Sequence, residues 1–249
     1  MGNLFVSSEG GLTAAGYALC LGILILCLLA GFALAENQGA NNQGAKNQGA
    51  NNQGAKNQGA SNQGAKNQGA KKRDVKHLAY CAMALALAYV TSYIKVFTLP
   101  YGGSVTLMSM LFIVLIAHWY GVRTGVLVGF AYGILQFLQE PYFLSLFQVC
   151  CDYVLAFAAL GLAGLFRKGK NSLPAGYLAA VLARGVFHSI GGYLYWMDYM
   201  PENFPQALRD LYPIVYNYSY LLAEGAVTVA VLKLPAVSQA LERIRKAAI

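Results

Sequence analysis

Residues 147–166 read FQVCCDYVLAFAALGLAGLF: a run of twenty residues with a single charge, Asp152, that ends directly on Arg167 and Lys168. A helix of that length spans about 30 Å at 1.5 Å per residue, which matches the hydrocarbon core of a bilayer. Five further apolar runs lie to either side, roughly His77–Ile94, Val105–Trp119, Gly121–Leu138, Pro174–Trp196 and Leu211–Leu234. Short polar connections separate them, so neighbours are expected to run antiparallel. The fold class implied is an all-α integral membrane protein with a bundle of six transmembrane helices.

Composition agrees. Hydrophobic residues are 57% of the 249-residue chain and charged residues 11%, where soluble domains carry roughly a quarter. The net charge of +8 does not point to nucleic acid, because the basic residues sit in short clusters beside the apolar runs. Lys71, Lys72, Arg73 and Lys76 precede the first run; Arg167, Lys168 and Lys170 follow the fourth; Arg243, Arg245 and Lys246 follow the last. Glu140, Asp198, Glu202 and Asp210 fall in the alternate loops. This is the positive-inside distribution of a multi-pass protein of the cell membrane, with both ends of the bundle in the cytoplasm.

Three regions divide the chain. Residues 1–36 hold an apolar run that reads as an extra N-terminal transmembrane helix or a signal-like segment, since Ala33-Leu34-Ala35 resembles a cleavage site. Residues 37–73 repeat a five-residue unit (NQGAN, NQGAK, NQGAS) with no aromatic or branched apolar residue, which implies a disordered linker ending in a basic cluster. Residues 74–249 carry the six-helix membrane domain. The five cysteines, Cys20, Cys27, Cys81, Cys150 and Cys151, lie in apolar stretches without a C-x-x-C pair and read as small hydrophobes.

Ionisable residues inside the six runs are few: Asp152, Arg184, His188 and Glu224. Such groups are costly in lipid, so they are expected to face a cavity or a partner. Glu224 stands near enough to one end to be read as structural. Arg184, His188, Gly192 and Trp196 recur every four residues, which places them on one slowly drifting stripe of a helix. A cation, an imidazole, a gap and an indole suit a flat heteroaromatic ligand. The same pattern is open to a plainer reading, with Gly191 and Gly192 for helix packing and Trp196 as an interfacial anchor. Asn217, one turn inside the last run, can pair with a ring nitrogen and an amine together or glue two helices, and Tyr212 stands at the mouth. Asp152, followed by Tyr153, needs a cationic ligand or an ion pair with Arg184 to justify its charge.

No G-x-x-x-x-G-K-[ST] loop and no H-E-x-x-H helix occurs, so neither ATP hydrolysis nor metal hydrolysis is expected of this chain. Nothing calls for a cofactor or a metal. A stand-alone proton-coupled carrier would show repeated halves or broken helices, which are not evident.

The stretches YGGSVTLMSM (101–110), GVRTGVLVGFAYGILQFLQEPY (121–142) and DYVLAFAALGLAGLF (152–166) resemble the thiamine-specific substrate-binding subunit of energy-coupling factor (ECF) transporters. The spacings His188-x3-Gly192-x3-Trp196 and Tyr212-x4-Asn217 are similar to that family's ligand contacts. The resemblance runs from about Val75 to Lys233 and leaves out the N-terminal extension. It implies that Asp152, Tyr212 and Asn217 hold an aminopyrimidine and that Trp196 stacks on the ligand. His188, Tyr153 and Gly192 would line the thiazolium side, with Arg184 near the pocket. It further implies docking of an Ala82-x3-Ala86 face on a transmembrane coupling protein, with two separate ATPase subunits as partners, although Ala84 and Ala88 have the same spacing. Gly102-Gly103 stands where some members carry a tryptophan over the pocket.

Overall fold

In hydrocarbon a spanning segment has to satisfy its own backbone N–H and C=O groups, so each long apolar run is helical. The computed structural model describes residues 13–15, 18, 59–169 and 171–249. Helices α1 (Gly59–Ser92), α2 (Ser109–Tyr120), α3 (Val122–Gln139), α4 (Leu146–Leu165), α5 (Ser172–Tyr195) and α6 (Tyr212–Leu232) form the bundle, and α7 (Pro235–Ala248) comes after them. A two-stranded antiparallel hairpin, β1 (Lys95–Thr98) and β2 (Ser104–Thr106), separates α1 from α2. The expected N-terminal span falls outside the described residues apart from a few positions. The helix α1 reaches back to Gly59, inside the repeat where composition implies coil. Extension from a formed helix avoids the nucleation penalty, and Ala, Lys and Gln are good helix formers.

Asp74–Ser92, Leu146–Leu165 and Ser172–Tyr195 are each long and apolar enough to cross a membrane. Gln206–Leu232 together with Pro235–Ala248 makes a fourth candidate, bent by 83° at the junction. The bend turns α7 across the end of the bundle, where Tyr120 Oη donates to Ala248 O at 3.1 Å.

The shortest bundle helix, α2, has 12 residues, about 18 Å of rise. It lies at the centre: Ile113, Val114, Ile116 and Ala117 have no exposed surface. A helix that is apolar on every side belongs inside a bundle. Sequence reading places the start of this span at Val105, yet Ser104–Thr106 is strand. The carboxylate of Glu224 on α6 accepts from both Thr106 N–H (2.7 Å) and Thr106 Oγ1 (2.8 Å), holding the segment extended. Met108, at φ 54°, is the one non-glycine residue with positive φ among those described, and it turns the chain into α2. At the other end Arg167 donates to His118 O (3.2 Å) and Trp119 O (2.6 Å), placing a cation on the open carbonyls of α2.

The helices α3 and α4 meet backbone to backbone. A Cβ on Gly129 would lie 2.4 Å from Phe157 O, one on Gly133 2.1 Å from Tyr153 O, and one on Gly161 2.3 Å from Val126 N. Small residues permit this approach, and dispersion then holds it. The winding of α4 also changes along its length, from π-helical over Cys150–Leu155 to 3-10 over Ala159–Leu165. Widened turns of this kind recur at functional sites, and this one contains Asp152.

Gly161→Ala should therefore cost about 1–3 kcal/mol through forced backbone separation, read as a lowered melting temperature in detergent. Gly225→Ala, whose new methyl would meet nothing nearer than 3.9 Å, should leave it unchanged or raise it. Equal behaviour of the two variants would contradict the close α3–α4 contact.

Candidate functional site

A cavity of about 630 Å³ opens between α4, α5, α6 and the hairpin, with the ends of α1 and α3 completing its wall. That volume falls within the roughly 300–1,000 Å³ of small-molecule sites. Asp152, Tyr153, Arg184, His188, Gly192, Trp196, Tyr212 and Asn217, the eight ligand positions expected from sequence, all lie on its lining.

The polar groups form a chain. Arg184 Nε donates to His188 Nε2 at 3.1 Å. With Nε2 accepting, the imidazole proton is assigned to Nδ1, which faces Asp152 Oδ1 at 3.3 Å. Asp152 Oδ2 accepts from Gln148 Nε2 at 2.8 Å. A direct Asp152–Arg184 ion pair, the structural alternative raised by the sequence, is not formed; the imidazole stands between the charges. The Arg184 guanidinium instead lies 4.1 Å from the centroid of the Phe157 ring, a cation–π contact.

Two glycines of α5 have distinct tasks. A Cβ on Gly191 would stand 2.8 Å from Asp152 Oδ1, so this position makes room for the carboxylate. A Cβ on Gly192 would stand 2.7 Å from Pro213 Cβ and 3.3 Å from Asn217 Nδ2. Gly192 thus admits α6 rather than opening a ligand space by itself, which is the helix-packing alternative.

Asn217 is buried with its amide engaged: Nδ2 donates to Pro213 O (2.8 Å) and His188 O (3.3 Å), and Oδ1 accepts from Tyr220 Oη (2.9 Å). The interhelical reading of Asn217 is thereby realised, while one lone pair of its Oδ1 is left for another donor. Tyr153 Oη donates to Glu140 O at 2.9 Å, tying α4 to the end of α3. Trp196 sits between Tyr142 (ring centroids 5.1 Å) and Tyr199 (5.2 Å), and Tyr212 between Phe204 (5.1 Å) and Tyr216 (5.9 Å). The mouth is therefore aromatic and the inner end charged.

Several lining residues are not among the ligand positions expected from sequence, although Glu224 is one of the ionisable residues expected to face a cavity or a partner. Tyr216, Tyr220 and Glu224 join Tyr212 at four-residue intervals on α6, a period that mirrors the Arg184–Trp196 stripe and was available in the sequence. Gln148, Tyr142 and Tyr199 carry no comparable signal. In the hairpin, Gly102 has φ +99°, and Gly103 fits so tightly that a Cβ would lie 2.7 Å from the Tyr220 ring. Gly103 N–H donates to Tyr216 Oη at 3.1 Å. On α1, Ala82 and Ala86 face outward, whereas Ala84 and Ala88 are in the core. The two equally spaced alanine pairs are thus told apart.

Residues 78–243 match the model of the family described as thiamine transporter protein (Thia_YuaJ). The chain belongs to that family. It is 30% identical to the thiamine transporter ThiT of Bacillus subtilis (strain 168), over 54% of this chain and 76% of that protein. It is also similar to a solved structure of ThiT from Listeria monocytogenes, at 25% identity and a TM-score of 0.53, covering 66% of this chain and 97% of that one. The matched region of the family model is the six-helix bundle and most of α7; it begins within α1.

Gly191→Ala should push Asp152 Oδ1 off His188, leaving buried polar atoms unpaired at about 1–3 kcal/mol, read as a lower melting temperature of the ligand-free protein. In an Asp152→Ala background the same change should cost close to nothing. An equal cost in both backgrounds would place the clash elsewhere.

Proposed function

We propose that this chain is the thiamine-capturing subunit of an ECF-type importer of the cell membrane. The observation that carries the reading is the Asp152 carboxylate, fixed by Gln148 and His188 on the wall of an aromatic-mouthed cavity. Thiamine is an aminopyrimidine joined to a cationic thiazolium. Its amine needs an acceptor, its charge a nearby anion, and its two flat rings something to stack on. Asp152, Tyr212 and Asn217 take the aminopyrimidine. Trp196 stacks on the ligand, and His188, Tyr153 and Gly192 line the thiazolium side with Arg184 beyond them. An anionic vitamin would meet a carboxylate where it wants a base.

The cavity opens on the end of the bundle that carries Glu140, Asp198, Glu202 and Asp210, so the substrate enters from outside. Arg123, Arg167, Lys168, Lys233 and the basic residues of α7 gather at the other end, which supports a cytoplasmic position for both bundle termini. Energy comes from partners: two ATPase subunits, reached through a transmembrane coupling protein that docks on the Ala82–Ala86 face. Small residues there allow close helix approach.

Thiamine added to the purified protein should quench tryptophan fluorescence and release measurable heat. A response to riboflavin or biotin with none to thiamine would end the assignment. Asp152→Asn, which removes a charge-assisted contact worth roughly 2–5 kcal/mol, should weaken binding about thirty-fold to several thousand-fold. Unchanged affinity would return Asp152 to a structural role.

For coupling, Ala82→Trp and Ala86→Trp should abolish uptake by cells that hold the whole transporter and leave thiamine binding to the isolated subunit intact. Normal uptake in both would move the docking face elsewhere.

A further inference from the structure

The helix α7 lines no part of the substrate cavity, yet its apolar and polar residues are more sharply segregated than those of the bundle helices. At 100° per residue, Val237, Leu241 and Ala248 fall within about 40° of one another. This is the inward side: Ala248 belongs to the buried core and Leu241 packs against it. Ala240, Ile244 and Ala247 carry the apolar arc sideways by about another 80°, and all three are exposed. Ile244 has 43% of its surface open. Arg243 borders this exposed arc, with Lys246 beyond it.

The axis of α7 is bent by 83° from that of α6. With α6 crossing the bilayer, α7 runs nearly parallel to the membrane surface for about 21 Å. Its far end is fastened to the end of α2 by the Tyr120–Ala248 hydrogen bond. From Lys233 to Ile249 the chain carries four bases, Lys233, Arg243, Arg245 and Lys246, against the single acid Glu242. The Arg245–Glu242 pair, at 3.4 Å and exposed, offsets little of that excess. A protein partner would ordinarily be gripped by aromatic anchors, and α7 has none. A helix lying in the plane of a bilayer, apolar on the side toward it and basic on the other, is instead built for the lipid surface.

We propose that α7 is a membrane-surface helix that binds anionic phospholipid headgroups. Ile244 and the alanines beside it rest among the upper acyl chains at the edge of the bundle, and Arg243 and Lys246 reach the headgroup phosphates. Each basic residue at an anionic surface contributes roughly a five-fold gain in affinity. The inference needs only the membrane bundle and is independent of thiamine recognition.

The test measures backbone amide hydrogen exchange over residues 235–249 of the full chain in nanodiscs. One set contains phosphatidylcholine alone; in the other, part of it is replaced by phosphatidylglycerol. The α7 amides should exchange about ten-fold more slowly in the anionic discs, and high salt should shrink the difference by screening. Arg243→Gln with Lys246→Gln should lose most of the anionic effect, while exchange in α2 stays unchanged because both side chains are exposed. Ile244→Ser should speed α7 exchange in both lipids. Equal exchange of wild-type α7 in the two lipids would overturn the proposal. An anionic effect that survives undiminished in the double variant would do the same. So would protection of α7 that arises only when the remaining transporter subunits are added, since that assigns the surface to a protein.

Discussion

The antiparallel crossing of α5 and α6 sets the geometry of everything else in the site. The two helices approach closely because glycine stands at both crossing points. A Cβ on Gly185 would lie 2.4 Å from the Tyr218 ring, and one on Gly192 2.7 Å from Pro213. Hydrogen bonds then fix the register: Tyr218 Oη donates to Leu182 O at 2.8 Å, and Asn217 Nδ2 to His188 O at 3.3 Å. In a membrane no hydrophobic driving force presses helices together, so packing and such bonds carry the association. Once the pair is fixed, the four-residue stripes of both helices face the same space. Their opposed directions put Trp196 beside Tyr212 at the mouth and Arg184 toward Glu224 within.

Burying that many polar groups is tolerable because they are bonded in sequence. Gln148, Asp152, His188 and Arg184 form one continuous chain, and the Arg184 charge spreads onto the Phe157 face. A half-satisfied network would be worse than an apolar wall. The same logic accounts for the π-helical stretch of α4. An added residue in a turn rotates the rest of the helix by roughly 100°, which lets Asp152 meet Gln148 and His188 while the next turn presents its backbone, at Phe157, to Gly129 of α3.

The hairpin and α2 show how irregular backbone survives at this depth. Non-helical segments are tolerated inside a membrane where protein buries them or a cavity adjoins them; β1 is largely exposed, whereas Gly102, Gly103, Ser104 and Thr106 line the cavity. The Glu224–Thr106 bonds and the Gly103–Tyr216 bond attach the hairpin to α6. Lys95 and Glu140 also pair across its outer side, an exposed contact of small energetic weight. The central helix α2 can stay short because it has no lipid to cross on its own; its neighbours enclose it.

Much of this protein is legible in its sequence. Apolar runs of about twenty residues can do nothing in water that they do not do better in lipid, and basic and acidic residues fall in alternate loops. Period four on a helix puts Arg184, His188, Gly192 and Trp196 on one face whatever surrounds them. Periodicity says which residues share a face and is silent on what that face meets. Only the tertiary structure decides that Gly191 yields to Asp152, that Gly192 yields to Pro213, and that an imidazole separates Asp152 from Arg184. It also turns Val105 and Thr106 from helix to strand, because the acceptor that holds Thr106 lies on α6, more than a hundred residues away in the chain. Glu224 reads as an end-of-helix carboxylate until that partner is placed. Contacts between distant segments leave no mark on local spacing, and the inner end of the cavity is made almost wholly of them.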